Sequence, residues 1–292
     1  NEDYEKYKIL KDKIYNAIIN KYFFENGKLN LYTQTSYVLC LKYNIYKNKE
    51  IILEDFKKRI REDLYRIKTG FTGSPLILLT LFDNGMDEYA YRILYNEEFP
   101  GWLYAINLGA TTIWERWNSL LENGTISGIS MNSFNHYAYG SVCEAIYSRI
   151  AGLRNLLPGW KKVMIKPQLN YRMKKIDFSY ESISGKYEIY WKWKRNKFYM
   201  NITVPNGCEA EVVLPNGESK NVVGGKYSYE CEIDKKIYCP FSIDTPIIDL
   251  MKNNEAINIL KEYLPQIYVN AVENNDGFKV NSISSANLLP NF

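Results

Sequence analysis

Along the first half of the chain, apolar residues recur every three or four positions. Tyr7, Leu10, Ile14 and Ile18 hold that spacing, and Leu53, Phe56, Ile60, Leu64 and Ile67 repeat it with charges on the opposite face. Both runs predict amphipathic helices, the first with Asp3 available as a cap. Ser74-Pro75 reads as an N-cap followed by a proline in the first turn, opening a helix that stops at Asn84-Gly85. Asp87 can cap the next, and Asn135 to Ile150 forms another that ends at Gly152. Short connections between successive helices predict antiparallel pairs.

After Leu157-Pro158-Gly159 the period switches to two. In Lys186 to Lys194, Tyr187, Ile189, Trp191 and Trp193 alternate with Lys and Glu, and Lys197 to Val204 follows across a tight turn containing Asn196. Cys208 to Leu214 and Tyr227 to Ile233 read as further short strands, separated by Pro-Asn-Gly and Gly-Gly turns. Several short strands with one apolar face predict an antiparallel β-sandwich. From Thr245 the helical pattern returns in Pro246 to Met251 and Glu255 to Leu264, and the last 25 or so residues, rich in Asn and Ser, are expected to be weakly structured. The predicted divisions are therefore 1–157, 158–244 and 245–292.

Composition narrows the function without naming it. The 292 residues are 46% hydrophobic and 24% charged, as in an ordinary globular protein. A net charge of +4, with Lys and Arg scattered among nearly equal acids, lacks the basic stripe of a nucleic-acid binder. No run reaches the roughly 18 apolar residues that span a bilayer, so neither nucleic acid nor membrane is an expected partner. The five cysteines form no CxxC pair and have no nearby His, which argues against a zinc site and against a disulfide framework. One disulfide in the strand region stays open. An odd cysteine count fits reduced thiols in the cytoplasm. The chain begins with Asn rather than Met, as expected of a processed product or a fragment.

The candidate chemistry lies between Phe99 and Gly140. Trp114-Glu115-Arg116-Trp117 sets a carboxylate beside a guanidinium and between two indoles. An ion-paired glutamate and a catalytic one both fit that tetrapeptide. Its place in a connection rather than a periodic helix favours a site. The only histidine, His136, follows 21 residues later in a polar and aromatic cluster, Asn132-Ser133-Phe134-Asn135-His136-Tyr137. Sugar sites need aromatic walls and groups that hydrogen-bond hydroxyls, and glycosidases need two carboxyl groups flanking the scissile bond. Glu115 with Trp102, Trp114, Trp117, Arg116, His136 and Asn132 supplies half of such a site.

The runs TGFTGSPLILLTLFDNGMDEYAYRILYNEEFPGWLYAINLGATTIWERW, MNSFNHYAYGSVCEAIYSRIAGL and PGWKKVMIKP resemble the end of the catalytic domain of bacterial α-L-rhamnosidases of glycoside hydrolase family 78. With the upstream LYTQTSYVLCL, the resemblance extends over roughly residues 25 to 265. It implies a partial (α/α)6-barrel in 1–157, a β-sandwich in 158–244 and a short helical tail. It further implies inverting hydrolysis of terminal α-L-rhamnosyl groups without a cofactor or metal. The family role of general base then falls on Glu115 and that of sugar contact on His136.

One departure qualifies the resemblance. The family's general acid sits in an upstream DERxGW motif that this sequence lacks; the nearest acidic run, Arg61-Glu62-Asp63-Leu64, has no Gly-Trp. About six helices stand where a closed barrel needs twelve. The expectation is a C-terminal fragment, a split-gene product or a degenerate relative, paired with the missing half of the barrel or with a second copy. Two rival expectations are a non-catalytic module that binds carbohydrate or assembles with another chain, and a barrel hydrolase acting on another sugar.

Overall fold

The computed structural model describes residues 2–234, 237, 241, 243, 245–251, 253–273, 282 and 283. Two compact units emerge, residues 1–149 and 150–292.

The first unit is helical: α1 (Glu2–Tyr22), α2 (Gln34–Tyr43), α3 (Lys49–Glu62), α4 (Ser74–Asp83), α5 (Asp87–Leu94) and α6 (Trp102–Asn107). Local chemistry sets the helix ends. Thr33 and Ser36 form a reciprocal capping box at α2, and Asn48 accepts hydrogen bonds from the Glu50 and Ile51 amides at α3. Ser74 is not the cap that the sequence predicts. Gly73 holds that position, and the Ser74 hydroxyl, in the first turn, bonds to Thr69. Asp87 likewise starts α5 after the N-cap Met86, and Asp3 lies inside the first turn of α1. The predicted helix over Asn135 to Ile150 begins later and is uneven: a 3-10 turn at Ala138–Ser141, an α-turn at Val142–Ala145, then a π-helical stretch Ile146–Ala151.

Of the two periodic stripes, the second is core only in part: α3 ends at Glu62, so Leu64 and Ile67 fall outside the predicted helix, and Leu53 and Leu64 are half-buried. Phe56, Ile60 and Ile67 are fully buried with Tyr37, Ile77, Leu81 and Tyr91. The first stripe is largely in solvent, with Tyr7 61%, Leu10 46% and Ile14 51% exposed; Ile19 is the only buried residue of α1.

The second unit carries a six-stranded sheet of β1 (Leu153–Asn155), β2 (Lys162–Ile165), β3 (Lys175–Ser182), β4 (Gly185–Lys194), β5 (Lys197–Val213) and β6 (Ser219–Glu232). The order is β1-β2-β5-β4-β3, with β6 also on β5. Cys208 to Leu214 is not a separate strand. It continues β5, whose first part pairs with β4 and whose last part pairs with β2, across a register shift between Val204 and Glu209. The sandwich is thus a curled sheet whose long β5–β6 hairpin runs through both halves. Gly224-Gly225 is correspondingly a bend inside β6 rather than a turn. A Cβ on Gly224 would lie 2.7 Å from the Pro205 carbonyl and the Asn206 Cα, so only glycine lets the two backbones approach there. One pair departs from the antiparallel expectation: β2 and β5 run parallel. Such a pair needs a long crossover, and β3 and β4 supply it.

Alternation buries one face as the period of two requires: Tyr187, Ile189, Trp191 and Trp193 on β4, and Phe198, Met200, Ile202 and Val204 on β5. The Trp191 indole N–H donates to the Ile150 carbonyl at 3.1 Å. In the tail, helices Ile247–Leu250, Asn254–Tyr263 and Pro265–Glu273 share a small apolar cluster of Ile247, Leu250, Leu260, Ile267 and Ala271. Pro265–Glu273 shows order where weak structure was expected. Beyond residue 273 that expectation falls, apart from residues 282 and 283, outside the described residues. Cys40, Cys143, Cys208 and Cys231 are free thiols, and Cys239 lies outside the described residues.

Candidate active site

Between α6 and the 3-10 turn the chain makes an irregular excursion, residues 108–137, held by side chains rather than by a periodic ladder. A small hairpin closes at Asn123-Gly124, with Leu120 bridged to Ile126. Ser119, fully buried, bonds both to the amide and to the carbonyl of Arg116, and its own carbonyl accepts from Ser127 N–H and Asn132 Nδ2. Around this node the segments 112–115 and 133–136 lie side by side. Glu115 N–H donates to the Ser133 carbonyl at 2.8 Å, His136 N–H to the Ile113 carbonyl at 2.7 Å, and the Thr112 hydroxyl to the Phe134 carbonyl.

That lacing carries the two titratable groups of the excursion's core. Glu115 is half-buried, and its Oε2 accepts from Ser133 N–H at 2.7 Å. Among the described residues its Oε1 has no hydrogen-bond partner and its carboxylate no ion pair. Arg116 does not neutralise it: the guanidinium donates to the Ser130 carbonyl at 2.9 Å. His136 is stacked between Phe71 (centroids 5.0 Å apart, planes at 9°) and Tyr137 (5.1 Å, 12°). Its Nδ1 accepts from Ala138 N–H at 3.2 Å, so the neutral ring carries its proton on Nε2 and presents it as a donor.

The indoles do something else. Trp102 donates to the Tyr139 carbonyl at 2.9 Å and Trp117 to the Thr69 carbonyl at 3.0 Å. Trp117 lies flat on Tyr139 at 3.8 Å and meets Trp102 edge-on at 5.3 Å, while Trp114 is buried with its edge to Phe134. Burial pushes the Tyr139 phenol above its ordinary pKa, so it stays neutral under the Trp117 ring. Trp102, Trp114, Trp117 and Arg116 line a mainly apolar cavity of about 400 Å³, closed on other sides by Ile106 and Val142. Neither Glu115 nor His136 is among its lining residues.

Residues 1–150 match the family model described as the bacterial alpha-L-rhamnosidase 6 hairpin glycosidase domain, and residues 152–228 match the bacterial alpha-L-rhamnosidase C-terminal domain. An alpha-L-rhamnosidase of Formosa agariphila is 35% identical over 225 residues, 76% of this chain and 24% of the relative. The chain belongs to the bacterial α-L-rhamnosidase family. Solved structures agree. The native enzyme of Aspergillus terreus superposes with a TM-score of 0.75 at 30% identity, covering 78% of this chain and 27% of that one. The Streptomyces avermitilis alpha-L-rhamnosidase complexed with L-rhamnose gives 0.74 at 30% identity, covering 78% and 24%. The chain spans about a quarter of the length of the curated relatives it matches.

Within the helical unit, the residues singled out from sequence divide into three groups. Glu115 and His136 come together on the laced segments, each with one polar atom unspent. The three indoles and Arg116 wall the apolar cavity. Asn132 spends its amide on the Ser119 and Gly128 carbonyls, fixing the loop. Sequence reasoning passed over Ser133, which anchors Glu115, and Phe71 and Tyr139, which support His136 and Trp117. Ser133 sat inside the polar cluster already noted; Phe71 lies 65 residues before His136, and nothing local ties the two. The nearest acidic run is structural. Asp63 is buried against Arg59 and Gln34, and Glu62 accepts from the Tyr32 hydroxyl. Among the described residues no cluster of His, Cys, Asp and Glu could hold a metal, and no helix is long and apolar enough to cross a membrane.

Proposed function

We propose that this chain supplies the general-base side of an inverting α-L-rhamnosidase, with Glu115 as the base and His136 as a hydrogen-bond donor to the sugar. The reading rests on one observation above the rest: Glu115 is anchored through Oε2 while Oε1 stays unpartnered and no cation neutralises it. A carboxylate so held accepts a proton from a water at a fixed position, and that water attacks the anomeric carbon from the face opposite the leaving group. L-Rhamnose is taken as the sugar because a relative was solved with it. Trp102, Trp114, Trp117, Arg116 and Asn132 are assigned to holding this surface in shape; any sugar stacking falls to the exposed faces of Phe71 and Tyr137, 46% and 88% exposed.

The acid that protonates the leaving oxygen is assigned to a DERxGW-bearing segment, because Glu62 and Asp63 are committed to structural contacts. The apolar stripe of α1, with Tyr7, Leu10 and Ile14 in solvent, is the face we assign to contact with that segment's helices. Hydrolysis of a natural rhamnoside and of an aryl rhamnoside with a good leaving group is to be compared for this chain alone and for the chain joined to such a segment. The expected result is negligible turnover of the natural substrate by the chain alone and recovery on joining. Full activity of the chain alone would overturn the division of labour. Commitment of Glu62 and Asp63 also favours a second reading, binding without turnover, which holds if the joined protein binds rhamnose but hydrolyses neither substrate.

A further inference from the structure

The strand-rich unit carries a second concave surface, on the face of β3, β4, β5 and β6 opposite the core. It encloses about 520 Å³ and is lined by strand residues alone. The pairing registers bring its side chains into cross-strand rows. Asp177 faces Tyr190, Tyr190 faces Asn201, and Asn201 faces Ser228. In the next row Ser179, Glu188, Thr203 and Lys226 stand opposite one another in turn. Residues paired in register point to the same face, so each row is a continuous stripe across four strands.

The two rows differ in how far they satisfy themselves. Glu188 accepts from the Thr203 hydroxyl at 2.9 Å and lies 3.3 Å from the Lys186 ammonium. These contacts hold its carboxyl below the usual carboxylate range. The other row has no such closure: among the described residues the side chains of Asp177, Tyr190, Asn201 and Ser228 have no hydrogen-bond partner. A half-buried tyrosine ring thus lies between a carboxylate and an amide, with a serine hydroxyl at the end. At about 4.8 Å per strand spacing the row is about 14 Å long.

We propose that this row is a saccharide-binding site separate from the Glu115 surface, taking an uncharged mono- or disaccharide laid across Tyr190. Charge selects the ligand class. Asp177 and Glu188 are balanced by Lys186 and Lys226 among the lining residues, so the surface favours neither an anion nor a cation. None of the large exposed apolar side chains lines it, which disfavours a lipid or the apolar centre of a protein interface. What remains is a half-buried tyrosine ring flanked by unspent donors and acceptors, the combination that fits a pyranose with vicinal hydroxyls.

The test is an amide chemical-shift titration of the full chain with methyl α-L-rhamnoside, using Glu115→Gln as the background to prevent turnover. Choosing a rhamnoside rests on the proposed function; methyl α-D-glucoside serves as a second neutral probe free of that assumption. We expect shifts at residues 177, 190, 201 and 228 with at least one probe. Tyr190→Ala should weaken that binding about tenfold through lost stacking. Asn201→Ala, at an exposed position where folding is not at risk, should weaken it about threefold or more. Shifts confined to residues 112–137 would overturn this site while leaving the Glu115 reading intact. Shifts at the row that persist unchanged in both variants, or none there with either probe, overturn it as well. If the row shifts only on adding a DERxGW-bearing segment, it is a protein contact and the saccharide site is refuted.

Discussion

Replacing Glu115 by Gln separates the proposed base from the scaffold. The amide oxygen of Gln can still accept the Ser133 N–H that Oε2 accepts at 2.7 Å, so the loop keeps its anchor. What changes is the charge of the acceptor. A hydrogen bond to a charged group contributes about 1.5–3 kcal/mol and a neutral one about 1 kcal/mol. The cost to folding is therefore about 1 kcal/mol, a Tm decrease of a few degrees for a unit of this size. The cost to catalysis is larger, because Gln cannot take the proton of the attacking water. General-base assistance contributes about 10²–10⁴-fold, equivalent to about 2.7–5.5 kcal/mol of barrier. The assay is steady-state hydrolysis by the chain joined to an acid-bearing segment, on both a natural rhamnoside and an activated aryl rhamnoside, with rhamnose affinity measured alongside. Both rates should fall at least about a hundredfold while affinity holds within about threefold. An aryl rate that stays within a factor of two of the parent would remove Glu115 from the chemistry. A loss of rate that tracks a collapse in Tm would instead make it a structural anchor.

Three further outcomes follow from particular contacts. His136→Phe keeps a ring between Phe71 and Tyr137 but deletes the Nε2 donor, together with the Nδ1 that accepts the Ala138 N–H; KM should rise about two- to tenfold with kcat nearly unchanged, and an unchanged KM would remove His136 from the sugar. Gly224→Ala drives a methyl to 2.7 Å from the Pro205 carbonyl and should destabilise the strand-rich unit by about 2 kcal/mol or more, read by chemical denaturation; a neutral result would mean that the β5–β6 bend yields. Brief alkylation mapped by mass spectrometry should label exposed Cys143 before Cys40, whose thiol burial pushes up to about 11, and labelling of Cys40 first would show that α2 opens locally.

The fold was legible wherever one physical rule acted alone. Period-two alternation from Tyr187 to Trp193 gave both the strand and its buried face, because burial on one side of a sheet leaves no other arrangement. Period 3.6 located α1 and α3, yet could not say that the α1 stripe stands in solvent while that of α3 is core. Amphipathicity records what a helix can bury, and the partner that buries it is a tertiary matter. The Gly-Gly of β6 reads as a turn because glycine at a reversal and glycine at a close approach look alike in sequence. Only the close approach of Gly224 to Pro205 and Asn206, where the β5–β6 register shifts, separates them. Ser74 failed as a cap for a comparable reason: its hydroxyl had a better partner, Thr69, five residues upstream.

For the candidate site, residue type was readable and residue task was not. Glu115 and Arg116 are neighbours in sequence, and adjacency made an ion pair look natural. The chain bends at both residues, however, and the two side chains find different partners. Arg116 goes to Ser130 and the apolar cavity, and Glu115 goes to Ser133. Trp114 and Trp117, expected as sugar platforms, are likewise spent in the cavity wall and on the Thr69 carbonyl. An irregular excursion of thirty residues has no ladder to hold it, so its largest rings are used as braces and its Asn and Ser side chains as ties. Those braces leave a carboxylate oxygen and an imidazole N–H unspent on one laced pair of segments. A loop that holds a charged group without neutralising it must fix that group by other means, and residues 112–136 do so with the Glu115–Ser133 and His136–Ile113 backbone bonds and the Ser133 N–H on Oε2.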